Sequence, residues 1–204
     1  MPDTGRAQMA QNDFDKEMKD ADWIKVFARQ AMRAPLLEQW FDDLELEPGS
    51  RVADLGCGPG YVAMRVAMRV GAAGCVYAID RSAEALETLD RIRDTNALAQ
   101  IRTDEADIAA LSRLPGPVDA VIAAMMLHHN DHPAALLGRI AELAGPGQPI
   151  LVAEFHPHGP AEVGPPADVR IGPEELRAAA SEAGLTERLY RRQTPEHYLM
   201  VMAR

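Results

Sequence analysis

The feature that most constrains the fold is a short apolar run that ends in an acid and leads into a glycine-rich turn, at residues 52–61. The stretch reads V-A-D-L-G-C-G-P-G-Y and a helical pattern follows it, so the order predicts a buried strand, a tight turn and a helix N-terminus. Glycine allows a positive φ and lets a ligand lie against the backbone. The N–H groups at the helix start add a partial positive charge. The stretch therefore predicts a ligand-binding turn.

A second strand-like run supports this interpretation. It extends from Cys75 to Asp80 and ends in an acid twenty residues after Gly60. In a nucleotide-binding βαβ unit, an acid at about this distance accepts hydrogen bonds from ribose hydroxyls. The alternative is a turn that needs glycine only for packing. The acid at the end of the second run favours a ligand-binding turn over this alternative.

The spacing of the glycines distinguishes between nucleotides. The dinucleotide fingerprint is G-x-G-x-x-G, and Tyr61 stands where its third glycine would be. The glycines fall instead as G-x-G-x-G, and Asp54 lies two residues ahead of them. The run D-L-G-C-G-P-G resembles the first motif of class I S-adenosylmethionine-dependent methyltransferases. This resemblance implies S-adenosylmethionine as the cofactor, rather than NAD, and S-adenosylhomocysteine as the product.

Composition bounds the class of protein and of partner. A chain of 204 residues with 47% hydrophobic content fits one globular domain, and its apolar runs are too short for a membrane span. The polar N-terminus does not look like a secretion signal. The net charge of −10 argues against a nucleic-acid partner and favours a small-molecule substrate. Cys57 and Cys75 lie in or beside predicted strands, so we expect packing thiols and a cytoplasmic location.

The pattern along the chain divides it into three parts. Residues 1–12 are expected to be a disordered tail, and residues 13–47 two amphipathic helices that either pack on the domain or cap its substrate pocket. Residues 48–204 alternate strands and helices, which predicts an α/β, doubly wound, Rossmann-like, mostly parallel sheet with an antiparallel edge strand. The resemblance implies seven strands. In such a sheet, ligands bind at the carboxyl ends of the strands.

The resemblance also implies which residues contact the cofactor. Asp107 with Ile108, after the third strand, is the expected adenine contact; Asp104 is the competing frame, and a solvated acidic turn is the other alternative. The full expected set of cofactor-binding residues is Asp54, Gly56, Cys57, Gly58, Gly60, Asp80, Arg81, Asp107, Ile108 and Met125.

Two further motifs look like the ubiquinone/menaquinone-biosynthesis branch of these methyltransferases, whose members act on small molecules. They are L-H-H at residues 127–129, after the fourth strand, and G-P-P at residues 164–166. The N/D-P-P-Y/F motif of amino-group methylation is missing after strand four, and so is a cluster of thiols like that of arsenic methyltransferases. The acceptor molecule does not follow from these motifs.

Five of the six histidines follow strands four and five, and histidine is the side chain best suited to take a proton near neutral pH. We therefore expect His128 or His129 to line the pocket and to serve as a base where the acceptor loses a proton. The alternative is a polar strand end whose imidazole bonds the backbone or the methionine carboxylate. H-H-x-x-H with H-P-H lacks a standard ligand spacing, so no metal is expected.

Two other functions compete with methyl transfer. One is a non-catalytic S-adenosylmethionine-binding or regulatory protein. Such a protein could form a homodimer through its N-terminal helices. The other, and weaker, is an NAD-dependent oxidoreductase.

Overall fold

The structure, a computed structural model, describes residues 18, 21–160 and 164–204. The expected tail of residues 1–12 and the expected helix start near Asp13 lie outside the described residues. The described chain forms one seven-stranded sheet in the order β3-β2-β1-β4-β5-β7-β6. Its strands are β1 (Arg51–Leu55), β2 (Cys75–Asp80), β3 (Ile101–Glu105), β4 (Ala120–Ala124), β5 (Ile150–Phe155), β6 (Thr186–Arg192) and β7 (His197–Ala203).

Helices cover both faces of this sheet, which is the doubly wound arrangement expected from the sequence. They are α1 (Trp23–Ala31), α2 (Ala34–Asp43), α3 (Tyr61–Val70), α4 (Ala83–Thr95), α5 (Pro133–Ala144) and α6 (Pro173–Glu182). Ser82 caps α4 by accepting a hydrogen bond from Ala85 N, and a proline occupies the first turn of both α5 and α6, as the sequence indicates.

Alternating side chains of the strands feed two hydrophobic layers. Val52, Val76 and Ile122 point to the layer that α2, α3 and α4 cover. Leu55, Ile79 and other strand residues of opposite parity point to the layer under α5 and α6. Because strands buried on both faces read as continuous apolar runs, β1, β2, β4 and β5 were recognisable in the sequence.

The edge of the sheet differs in detail from the expected single antiparallel edge strand. Strands β1 to β5 are parallel, whereas β7 pairs antiparallel with both β5 and β6. The reversed strand is therefore second from the edge, and β6 forms the edge itself. The β7 residues are buried throughout, whereas β6 is largely exposed. The apolar second strand of this hairpin therefore lies inside the sheet, and the first strand lies at its edge.

The described N-terminal helices are fastened to the far edge of the sheet. Trp40 of α2 is fully buried and its Nε1 donates to Gln193 Oε1 at 2.6 Å. Arg191 Nε donates to Asp43 Oδ2 at 2.9 Å, and Arg191 Nη2 donates to Asp43 Oδ1 at 2.9 Å. Among the described residues, no helix has the length and apolar character needed to cross a bilayer.

Candidate active site

The glycine-rich turn lies at the carboxyl end of β1, between the strand and the first turn of α3. Gly58 and Gly60 have φ values of +55° and +83°, which L side chains rarely adopt. A Cβ on Gly60 would lie 2.3 Å from Leu89 Cδ1, so α4 packs directly against the turn. The turn is thus held in one shape by packing as well as by backbone geometry.

Asp80, at the carboxyl end of β2, meets this turn directly. Its Oδ2 accepts a hydrogen bond from Gly58 N at 2.7 Å, and its Oδ1 accepts one from Ser82 N at 2.9 Å. Arg81, the next residue, is exposed. The acid twenty residues downstream and the glycine-rich turn therefore face each other on the same edge of the sheet.

Asp54 lies beneath the turn and is almost fully buried. Burial, reinforced by the negative charge of Asp80, raises the pKa of Asp54 to about 8. Its Oδ2 has no hydrogen-bond partner in the described part of the chain. Burial likewise raises the pKa of the neighbouring Cys57 thiol, and the charges of Asp54 and Asp80 add to that rise. Both groups are therefore held in their neutral forms.

Helix α1 covers the turn through Gln30, a residue that the sequence analysis did not identify. Gln30 Nε2 donates to Cys57 O at 3.1 Å, and Gln30 Oε1 accepts from Tyr61 N at 3.0 Å. Phe27, one turn earlier, packs edge-on against Tyr61 with ring centroids 5.3 Å apart. A signal existed, because Gln30 is a polar residue within the apolar stripe of Trp23, Phe27 and Ala31.

The remaining predicted cofactor residues end neighbouring strands. Asp107 is exposed two residues beyond β3, where its Oδ1 accepts from Ala109 N at 2.9 Å, and Ile108 is buried behind it. Asp104 lies within β3 instead. Met125 follows β4 with φ +55°, an uncommon value for a residue with a side chain. These side chains stand along one edge of the sheet.

His128 and Glu154 form a buried pair beyond β4 and β5. His128 Nδ1 lies 2.7 Å from Glu154 Oε2, and the exposed fractions of the two side chains are 3% and 0%. Glu154 Oε1 also accepts from Leu127 N at 2.8 Å. Burial raises the pKa of Glu154, but the charge of His128 and these hydrogen bonds outweigh it, so the pKa is lowered overall. The sequence analysis singled out His128 but did not identify Glu154 as its partner.

The other histidines of this edge are not arranged as a metal centre. The His129 ring stacks at 4.4 Å from that of His128, and the His156 and His158 rings lie 5.7 Å apart. Across the described ranges, no group of three His, Cys, Asp or Glu side chains is placed to hold a metal ion.

Comparisons with known proteins bear on this arrangement. A family profile described as a methyltransferase domain matches residues 52–147, which hold the glycine-rich turn, Asp80, Asp107 and the L-H-H motif. Residues 52–147, a little under half of the chain, thus resemble a methyltransferase domain. The resemblance to class I methyltransferases is thereby confirmed, and the NAD-dependent alternative is set aside.

Several curated relatives of residues 52–147 are named as methyltransferases of quinones or of ubiquinone biosynthesis. The chain is 35% identical over 126 residues to a ubiquinone biosynthesis O-methyltransferase of Ralstonia nicotianae, covering 60% of this chain and 50% of that protein. It is 32% identical over 109 residues to a 2-phytyl-1,4-naphtoquinone methyltransferase of Nostoc punctiforme, covering 53% and 47%. The chain thus spans about half the length of the curated relatives it matches.

Solved structures share the fold of the methyltransferase domain. A SAM-dependent methyltransferase from Aquifex aeolicus superposes with a TM-score of 0.73 at 20% identity, covering 81% of this chain and 88% of that one. Geranyl diphosphate C-methyltransferase of Streptomyces coelicolor gives 0.71 at 14% identity, covering 86% and 80%. At such identities the likeness establishes the fold alone, and the Rossmann-like sheet expected from the sequence is confirmed.

Proposed function

We propose that the chain is an S-adenosylmethionine-dependent methyltransferase that moves a methyl group to a small-molecule acceptor by in-line SN2 displacement. The observation that carries the proposal is the meeting of Asp80 with Gly58, at 2.7 Å, on the carboxyl edge of the sheet inside a methyltransferase domain. A quinone-related acceptor is supported by the names of the relatives in Ralstonia nicotianae and Nostoc punctiforme.

The chemistry of the turn fits this cofactor. A backbone cradle without Cβ atoms suits close approach of a ligand, and the unpartnered Oδ2 of buried Asp54 suits a ligand group that can donate to it. Asp80 would bind the ribose hydroxyls, and Asp107 with Ile108 the adenine. The remaining residues of the proposed cofactor site are Gly56, Cys57, Gly58, Gly60, Arg81 and Met125.

When bound, S-adenosylmethionine supplies a methyl group that its sulfonium already activates. The protein then has to hold the acceptor in line with that methyl group and to exclude water, and orientation of this kind contributes up to roughly 7–11 kcal/mol. In this proposal, residues 21–47 cap the pocket, because Gln30 reaches across the glycine-rich turn. Residues 48–204 form the remainder of the enzyme.

His128 is the proposed base for an acceptor that loses a proton. The Glu154 carboxylate accepts from His128 Nδ1, which leaves the proton-accepting role to Nε2 and stabilises the imidazolium that forms. His129, whose ring stacks on His128, is the second candidate.

The proposed partners and compartment rest on exposed apolar side chains, buried cysteines and net charge. Ile24 and Met32 of the N-terminal segment are exposed apolar side chains, which supports a homodimer formed through these helices. Both cysteines are buried thiols, which supports a reducing cytoplasm. The net charge of −10 supports a partner other than nucleic acid.

Calorimetric titration with S-adenosylmethionine and S-adenosylhomocysteine tests the cofactor proposal. We expect Asp80→Ala to weaken binding tenfold or more, because a buried pair of ribose hydrogen bonds is lost. Glu87→Ala, at an exposed carboxylate of α4, should bind as the wild type does. The absence of binding at millimolar cofactor would refute the proposal. Transfer of radiolabelled methyl to a panel of small phenols and quinols then separates an enzyme from a binding protein.

A further inference from the structure

Nitrogen-bearing side chains surround the ring of Phe155, the last residue of β5. His197 pairs with Phe155 across the β5–β7 ladder, and their ring centroids lie 5.0 Å apart. The Cζ atoms of Arg33 and Arg170 lie 5.8 Å and 5.3 Å from the ring centroid. His128 is also adjacent, with ring centroids 5.8 Å apart. This Phe155 cluster therefore adjoins the proposed base.

Arg170 has a structural explanation. Its side chain is fully buried, and its Nη1 donates to Glu196 Oε2 at 2.6 Å and to His156 O at 3.0 Å. Its Nε donates to Pro165 O at 2.9 Å. These bonds satisfy the buried guanidinium and attach the segment before α6 to the start of β7.

Arg33, at the junction of α1 and α2, is not satisfied in this way. Within residues 21–160 and 164–204, no hydrogen bond or ion pair reaches its guanidinium. Burial lowers its pKa to about 10, although the charge of Glu154 opposes that change. Glu154 already accepts from His128 and Leu127. A half-buried cation without a hydrogen-bonded anion is costly, which indicates a missing counter-charge.

His197 presents a second unsatisfied donor beside the same ring. Thr194 Oγ1 accepts from Glu196 N at 3.1 Å and from His197 N at 3.0 Å, which uses both of its lone pairs. Its hydroxyl must therefore donate to His197 Nδ1, 3.1 Å away, and the imidazole proton resides on Nε2. That Nε2 is buried without a partner. Burial, together with Arg33, lowers the pKa of His197 to about 4, so the ring is neutral.

We infer that the methyl acceptor carries an anionic oxygen group, a carboxylate or a phosphate, which binds beside Phe155 to the guanidinium of Arg33 and the Nε2–H of His197. The inference rests on the proposed function, since it places the acceptor at the edge that holds His128. The Arg33 cation and the neutral N–H of His197 would both be satisfied by an anionic hydrogen-bond acceptor.

Calorimetric titration of the full chain with benzoate, phenyl phosphate and their neutral analogue benzamide tests the inference. We expect one of the two anions to bind at least tenfold more tightly than benzamide, and the stronger of them identifies the group. Arg33→Gln should abolish that preference, whereas Arg29→Gln, at an exposed arginine of α1, should retain it. Equal affinities for the anions and benzamide in the wild type, or an unchanged preference in Arg33→Gln, would overturn the inference.

Two more variants separate recognition from folding. Arg33→Lys keeps the charge and should retain part of the preference for the anion, whereas His197→Phe keeps the ring packing and should weaken anion binding severalfold. An unchanged affinity in His197→Phe would exclude His197 from the site. A parallel titration with S-adenosylhomocysteine distinguishes the two proposals, because Arg33→Gln should bind it as the wild type does. Loss of S-adenosylhomocysteine binding in the wild type would refute the methyltransferase proposal and leave the anion result to stand by itself.

Discussion

At Asp54, burial and the nearby charge of Asp80 favour the protonated carboxyl near neutral pH, with a pKa of about 8. The native state therefore binds a proton that the unfolded chain, with a value of 3.8, has already released. Stability contributed in this way is full below 3.8 and is lost as the pH rises towards about 8. The buried carboxyl of Asp54 thus makes the stability of the protein depend on pH.

We predict that, as the pH rises across that interval, ionisation linked to Asp54 lowers the free energy of unfolding by up to about 1.4 kcal/mol per pH unit. Urea denaturation between pH 5 and pH 8 measures the slope. Asp54→Asn should remove this contribution, while Asp107→Asn, at an exposed carboxylate, should keep the wild-type slope. An Asp54→Asn variant with an unchanged slope would show that Asp54 ionises normally.

The His128–Glu154 pair leads to a kinetic prediction. With an acceptor found in the phenol and quinol panel, His128→Gln should lower kcat by roughly 10²–10⁴-fold, as expected for loss of a general base, with little change in S-adenosylhomocysteine affinity. Glu154→Gln should also lower kcat, because the imidazolium that forms loses its carboxylate. The exposed His132→Gln is the control. A full rate in His128→Gln would exclude His128 as the base.

At the scale of elements, the hydrogen bonds between α1 and the glycine-rich turn come from one side chain, that of Gln30. The two hydrogen bonds of Gln30 use Cys57 O and the first helical N–H of α3, groups that a ligand at the turn would also reach. A ligand that binds there has to displace Gln30 or bind around it. Residues 23–31 are thus placed to regulate access to the turn.

We predict that Gln30→Ala raises the association rate of S-adenosylhomocysteine severalfold and speeds amide hydrogen exchange at Tyr61, because the N–H loses its protein acceptor. Stopped-flow fluorescence and exchange mass spectrometry measure the two effects. Gln39→Ala, on α2 and distant from the turn, should change neither. Unaltered rates in Gln30→Ala would mean that α1 does not limit entry.

The elements themselves were mostly predictable from the sequence. Buried parallel strands and the glycine-rich turn depend on local composition, so β1, β2, β4 and β5 were recognisable, and so was the edge that carries Asp54 and Asp80. The third strand, Ile101–Glu105, gives a weaker signal, because only part of it is buried. Asp107 and Ile108 as adenine contacts stay predictions.

The partners within the site were not predictable in the same way. The pairing of Phe155 with His197 depends on the register of the β6–β7 hairpin against β5, and the position of Arg33 depends on how α1 and α2 meet over the sheet. Neither is encoded by a local pattern. Gln30 alone left a trace, as a polar residue in an apolar stripe.

For the whole molecule, the N-terminal helices and the sheet share one hydrophobic layer. Trp40, Phe41 and Leu37 of α2 are completely buried in the layer that also contains Val52 and Ile122. The Trp40–Gln193 hydrogen bond connects that helix to the segment between β6 and β7. We therefore regard the described chain as one cooperative unit.

We predict a single two-state unfolding transition in urea. Both tryptophans, Trp23 and Trp40, lie in the N-terminal helices, so their fluorescence reports on those helices while far-ultraviolet circular dichroism reports on the whole chain. The two curves should coincide, and Trp40→Ala should destabilise the protein by about 3–5 kcal/mol through the cavity it leaves. A fluorescence transition that precedes the dichroism transition would reveal an independent N-terminal unit.

The burial of Cys57 beneath Gln30 has a practical consequence. The Cys57 thiol is buried with a pKa well above its ordinary value, and the backbone carbonyl of the same residue accepts from Gln30 of α1, so we expect the thiol to react with an alkylating reagent only when this region opens. Cys75, at the opposite end of the sheet, responds to wider opening of the molecule and serves as the internal reference. The ratio of the two labelling rates thus measures how often the N-terminal segment opens in the unmodified protein.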